Sequence, residues 1–196
     1  MNSISPGLKN TRFRILKAAR KNFSEKGFHG ASMKAICKEC ELSPGTLYHY
    51  FPSKETLIQA IILEDQKRAT LHFEKPLKDT GLIDYLIDST IKVSKEDCSQ
   101  RALVTEIMAE AMRNHKVSDM LKHKYETIIK HLISRFDDAQ KEKEICQNID
   151  KEFVARLLLV ITYGILSDSE SDKYVCNDRF IQTFKDMLNG LFKVSL

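Results

Sequence analysis

From Leu82 to Tyr163 the sequence contains neither glycine nor proline. Tight turns and short strands lean on those two residues, so a stretch this long without them has to be built from long helices. The whole chain of 196 residues holds only 7 glycines and 4 prolines, about half the usual share. The expected fold class is all-α. Residues enough for a sizeable core are present without disulfides or metals. Hydrophobic residues at 42% and charged residues at 30% exclude collagen-like and disordered classes. The longest apolar runs, such as Leu157–Ile161, fall far short of the ~20 residues of a membrane span. No apolar segment follows the first residues, so no secretory signal and a cytoplasmic location are expected. Five irregularly spaced cysteines read there as reduced thiols.

Charge is unevenly distributed. Up to Ala60 there are 10 Lys and Arg against 4 Asp and Glu, and beyond it 21 against 23. A compact basic segment on a near-neutral body suits a polyanion partner, although a solvated helical surface carries similar charge.

Ile15, Leu16, Ala19 and Phe23 recur at helical period, which predicts a first helix over Thr11–Lys26. Gly27 then reads as a helix-ending glycine followed by the hydrophobic Phe28. Ser32 caps a short helix Met33–Cys40, and Ser43 caps a second, with Pro44 in its first turn. Pro52 ends that helix at Tyr50. Ser53 opens a helix running to Phe73. Further helices are expected near Leu82–Val93, Gln100–Asn114, Val117–Lys141, Lys151–Ser167 and Asp178–Val194, with loops at Lys75–Gly81, Ser94–Ser99 and Ser167–Lys173.

Two short helices joined by a tight turn after a longer one have the form of a helix-turn-helix. The second, Pro44–Tyr50, is too short and polar for a core helix. It carries Thr46, Tyr48, His49 and Tyr50 as hydrogen-bonding groups, offers free N–H groups at its start, and has one core residue, Leu47. Ser43 and Gly45 are small enough to let backbone approach a groove.

The run from Thr11 to Ile58 resembles the N-terminal domain of TetR-type transcriptional regulators. The residues that carry the likeness are Ile15-Leu16, Ala18-Ala19, Phe23, Gly27-Phe28, Ser32, Ile36 and the string LSPGTLYHYFPSKETL from Leu42 to Leu57. Glu41 stands where that family usually has glycine. If its backbone needs positive φ, glutamate carries a strain cost there.

The resemblance implies a helix-turn-helix domain over 1–53 and a helical effector-binding and dimerisation domain over 54–196. It makes Pro44–Tyr50, Tyr50 included, the recognition helix in the major groove. Thr46, Tyr48 and Lys54 would contact phosphates, and Ser32 another at the start of its helix; such contacts position a protein without reading sequence. Lys34, Ser43, Pro44, Gly45 and His49 would face the bases, Pro44 and Gly45 by apolar contact. Lys9, Arg12 and Arg14 would add contacts from a flexible arm.

Other constellations carry less. Cys37 and Cys40 form a CxxC pair, but with no second pair and no βαβ pattern they read as core residues, redox sensing being the alternative. His115, His123 and His131 recur every eight residues, about 80° apart per step, which does not build a metal site. No cofactor, metal or enzymatic signature is assigned. Phe73, Tyr85, Glu106, Met108, Met112, Tyr125, Ile129 and Tyr163 could line a ligand pocket between helices, Glu106 facing a cationic group, although the same stripes serve any helical core. Phe153, Leu157, Leu158, Ile161 and Ile165 with Phe180, Phe184, Met187, Leu188 and Leu191 make two apolar faces wider than one internal contact needs. The resemblance implies a twofold four-helix dimer interface from these two helices.

The function expected is that of a homodimeric, sequence-specific DNA-binding regulator, a repressor released from its operator by a small-molecule effector. Its two recognition helices would address half-sites about 34–36 Å apart. The alternative is a DNA-binding protein controlled by protein partners or thiol redox.

Overall fold

The structure is a computed structural model and describes residues 6–73 and 81–192, with side chains over 10–71 and 81–192. The expected loop at Lys75–Gly81 and the side chains of Lys9 and Phe73 therefore lie outside the described residues, apart from Gly81 itself. All regular structure among the described residues is helical: α1 (Pro6–Gly30), α2 (Met33–Glu39), α3 (Pro44–Tyr50), α4 (Lys54–Phe73), α5 (Leu82–Ser94), α6 (Cys98–Ala111), α7 (His115–Lys141), α8 (Lys151–Ser167), α9 (Ser171–Val175) and α10 (Asp178–Phe192). The chain divides into two compact units. One is Met1–Asp65 with Asp97–Lys122, and the other is Gln66–Glu96 with His123–Leu196. The motif-based division at residue 53 follows the end of the helix-turn-helix, whereas packing groups the start of α4 and all of α6 with the head.

In the first unit, α1 packs on α2 and α6, and α2 on α3. Ile15, Leu16, Ala19 and Phe23 form the buried face of α1. Gly27 breaks α1 with φ 70°, the left-handed conformation that glycine adopts without a Cβ clash. Arg20 holds three helices together: it donates to Asp65 (2.9 Å) and Glu64 (3.3 Å) of α4 and to Gln100 (3.3 Å) of α6. The buried Asp65 carboxylate is thereby paired, as an interior charge must be.

The turn between α2 and α3 places Glu41 at φ 52°. A side chain in that region costs roughly 1 kcal/mol relative to glycine. The Glu41 carboxylate is exposed, and its nearest cation, Arg14, is 3.8 Å away, too weak a pair to offset this. Glu41→Gly should raise the thermal midpoint by a few degrees in a melt followed by circular dichroism; an unchanged or lower midpoint would show that the turn tolerates glutamate without strain.

In the second unit, α5 packs on α8, α9 and α10. Its core joins Leu82, Leu86, Leu132, Phe136, Leu158 and Phe192. α5 has no side-chain cap at Gly81; Glu144 accepts the Leu82 N–H instead, at 2.9 Å. The stretch Ser167–Lys173, expected to be a loop, runs into the short helix α9. Buried Ser171 donates to the Ile165 carbonyl (2.9 Å) and Tyr174 to Asp168 (2.5 Å), which folds this segment back onto the end of α8.

Candidate nucleic-acid interface

Helix α3 is built from its caps inward. Ser43 Oγ accepts the Thr46 N–H at 3.2 Å and pairs with the Thr46 hydroxyl at 2.8 Å, while Pro44 occupies the first turn. These replace the partners a helix start lacks. Phe51 leaves α3 extended, as a residue before proline must. Leu47 is fully buried, and α3 packs on α2. Ser43, Pro44, Gly45, Tyr48 and His49 are exposed, and Thr46 and Tyr50 are half-buried. These seven exposed or half-buried residues surround one apolar anchor. A Cβ placed on Gly45 would meet nothing within 4 Å, so the space beside this exposed turn of α3 is open. His49 and Tyr50 stack edge to face at 5.7 Å.

Ser32 caps α2 by accepting the Ala35 N–H at 3.1 Å and remains exposed, its own O–H available to donate. Lys34 is exposed in the first turn of α2. Lys54 is engaged by the chain's own backbone. Its amine donates to the carbonyls of Phe28 (2.7 Å) and Ala31 (3.0 Å) and sits 4.6 Å over the Phe28 ring. These two carbonyls take up two of its three N–H bonds.

Arg12 and Arg14 lie on α1 rather than on a flexible arm. Arg14 donates to the Cys40 carbonyl (2.8 Å), pinning α1 to the turn of the helix-turn-helix. Arg12 pairs with Glu64 (2.9 Å) and lies over the Phe51 ring. Cys37 and Cys40 are buried, their thiols donating to the Leu42 and Cys37 carbonyls. Burial and the neighbouring Cys37 push the Cys40 thiol pKa up, which works against a reactive thiolate.

The residues put forward for a ligand pocket separate. Tyr85, Tyr125, Ile129 and Tyr163 belong to the second unit, where the Tyr125 and Tyr163 rings meet at 5.0 Å and Arg135 lies 5.8 Å over the Tyr85 ring. Burial raises the phenol pKa of Tyr85 and Tyr125. Glu106, Met108 and Met112 belong to the first unit. Met112 is 87% exposed, and Glu106 accepts the Phe28 N–H at 2.6 Å, a commitment to backbone that its sequence position did not reveal.

The two apolar stripes divide as well. Leu158, Ile165, Phe184 and Leu188 are buried within the chain, and Ile161, Phe180 and Leu191 are half-buried. Phe153 (70%), Leu157 (42%) and Met187 (37%) are left exposed, together with Val160 (69%). Residues 153, 157, 160 and 164 share one face of α8, and a Cβ on Gly164 would meet nothing within 4 Å.

Residues 15–61 match the family model described as "Bacterial regulatory proteins, tetR family". The HTH-type transcriptional regulator UidR of Escherichia coli K12 is 48% identical over 195 residues, covering 100% of both chains. The solved structure of Salmonella enterica GusR superposes with TM-score 0.93 at 58% identity, over 98% of this chain and 100% of that one. A TetR-family regulator from Rhodococcus sp. shares the fold at TM-score 0.77 with 19% identity, over 94% of this chain and 99% of that one.

Proposed function

The chain belongs to the TetR family of bacterial transcriptional regulators, and we propose from this that it works in the cytoplasm as a homodimeric repressor, released from a pseudo-palindromic operator by a small-molecule effector. It is a regulator and not an enzyme. No helix among the described residues is long and apolar enough to cross a membrane. The observation that carries the DNA-binding role is α3: a seven-residue helix held by one buried leucine, with Ser43, Gly45, Tyr48 and His49 turned to solvent. Such an element contributes little to its own core and presents N–H groups, hydroxyls and an imidazole to a groove.

Within this proposal 1–53 is the DNA-binding domain and 54–196 the effector and dimerisation domain. Ser32, Thr46, Tyr48 and the remaining N–H of Lys54 hold phosphates. Lys34, Ser43, Pro44, Gly45 and His49 face base edges. The effector contacts the aromatic side chains Tyr85, Tyr125 and Tyr163. The exposed row on α8 with Met187 of α10 supports pairing of two copies.

The division between phosphate and base contacts is testable by competition with single-base variants of the operator. Tyr48→Phe should weaken binding to all sequences alike, by about fivefold for one lost hydrogen bond. His49→Ala should instead relax preference at one or two positions in each half-site. A sequence-selective loss from Tyr48→Phe would reverse the assignment.

A further inference from the structure

Phe28 is gripped from both sides of its own backbone. Its N–H donates to Glu106 of α6 at 2.6 Å, and its carbonyl accepts from Lys54, the first residue of α4, at 2.7 Å. Its ring is buried, 5.8 Å from Phe23 and beneath the Lys54 amine. The same amine holds the carbonyl of Ala31, next to the Ser32 cap of α2. One turn on, a second α6 carboxylate, the buried Glu110, faces the His29 ring at 3.1 Å. The grip on Phe28 depends on Gly27. With φ 70° it turns the chain so that the Phe28 N–H faces α6, and a Cβ there would stand 3.0 Å from the Glu106 carboxylate.

We infer that Glu106 is a positioning residue for DNA binding: through the Phe28 backbone, and together with Lys54, it ties the position of α6 to the start of α2 and so to the seating of α3. The inference rests on the DNA-binding function proposed above. Both bonds are charge-assisted and therefore stronger than ordinary peptide contacts. They act on a single residue, so a displacement of α6 that draws on the Phe28 N–H also loads its carbonyl bond to Lys54, and with it Ala31 and the α2 cap. Helix α2 carries α3 directly. Two groups that bias one shared element must show energetic coupling, and that is measurable.

The experiment is a double-mutant cycle on the full-length protein with Glu106→Ala, Lys54→Met and the double variant. Each binds the DNA fragment spanning the chain's own promoter, and random-sequence DNA of equal length. Glu106→Ala should weaken promoter binding by about two- to thirtyfold, with random-sequence binding unchanged. Glu106→Gln, which keeps an acceptor oxygen for the Phe28 N–H, should recover most of the loss. In the Lys54→Met background the Glu106→Ala effect should shrink to less than about twofold. Effects that simply multiply, or equal losses on both DNAs, overturn the inference. Amide hydrogen exchange on the DNA-free protein decides the same point independently of whether the wild type binds promoter DNA. Glu106→Ala should speed exchange at Phe28 and also in the first turn of α2, whereas a change confined to Phe28 overturns the coupling. Failure of the wild-type chain to bind any DNA would count against the function itself and would leave the exchange result standing.

Discussion

Val160→Asp should yield a folded chain that sediments as a monomer and no longer holds its operator. Val160 is 69% exposed and stands on the α8 face that also carries Phe153 and Leu157. In one chain an aspartate there faces water, and surface substitutions of that kind change stability by only about 0.5 kcal/mol. Between two copies the same carboxylate would be buried without a partner, at a cost of several kcal/mol. In the proposed dimer Gly164, one turn further on, would let a partner helix approach, since no side chain of its own chain fills that space. Two linked recognition helices gain about 10²- to 10⁴-fold in avidity over one, so loss of the dimer should remove operator binding at working concentrations. Sedimentation, a thermal melt and a DNA titration of the same preparation decide it. A Val160→Asp protein that stays dimeric with wild-type operator affinity would move the interface off this face of α8.

The second large effect is expected at Gly45. Gly45→Gln should leave the fold intact and raise its stability slightly, because glycine costs a helix about 1 kcal/mol relative to better formers. The added side chain has open space around it in the free protein. In the proposed complex with DNA that space would be the room α3 needs to seat its first turn in the major groove. A glutamine there should disturb one or two base contacts at about 1–3 kcal/mol each, weakening operator binding by roughly ten- to a hundredfold or more. Random-sequence binding, which depends on phosphates, should change far less. Unchanged operator affinity would mean that this side of α3 does not face the bases.

Much of the head was legible from residue order because its determinants are local. Ser43, Pro44 and Pro52 set the limits of α3, and Gly27 ended the regular run of α1, each through the backbone preferences of single residues. Glu41 adopts the left-handed conformation that its place in the turn requires, despite its side chain. What escaped the sequence depends on partners far along the chain. Glu106 and Phe28 are 78 positions apart, and Lys54 and Phe28 are 26 apart. Periodicity marks which face a residue shares, not which backbone atom a carboxylate or an amine meets. Glu106 therefore read as a ligand contact and Lys54 as a phosphate contact alone, while both hold the same residue. α9 escapes for another reason: five residues are too few for a helical period to register, and it is held by packing on α5, by buried Val175, and by Ser171 and Tyr174 bonding back to residues around the end of α8. The apolar faces of α8 and α10 were visible as wide stripes. Only packing separates Leu158 and Leu188, which fill the chain's own core, from Phe153 and Val160, which do not.

The central claim is that α3 reads DNA from a paired protein. Footprinting of the purified chain on the DNA flanking its own gene, with nonspecific competitor and across a salt series, tests it most directly. The predicted result is protection of an inverted repeat whose half-sites lie about 34–36 Å apart or at a multiple of that spacing, with affinity falling as salt rises. Absence of any DNA binding at low salt would contradict the assignment of α3 as a recognition helix.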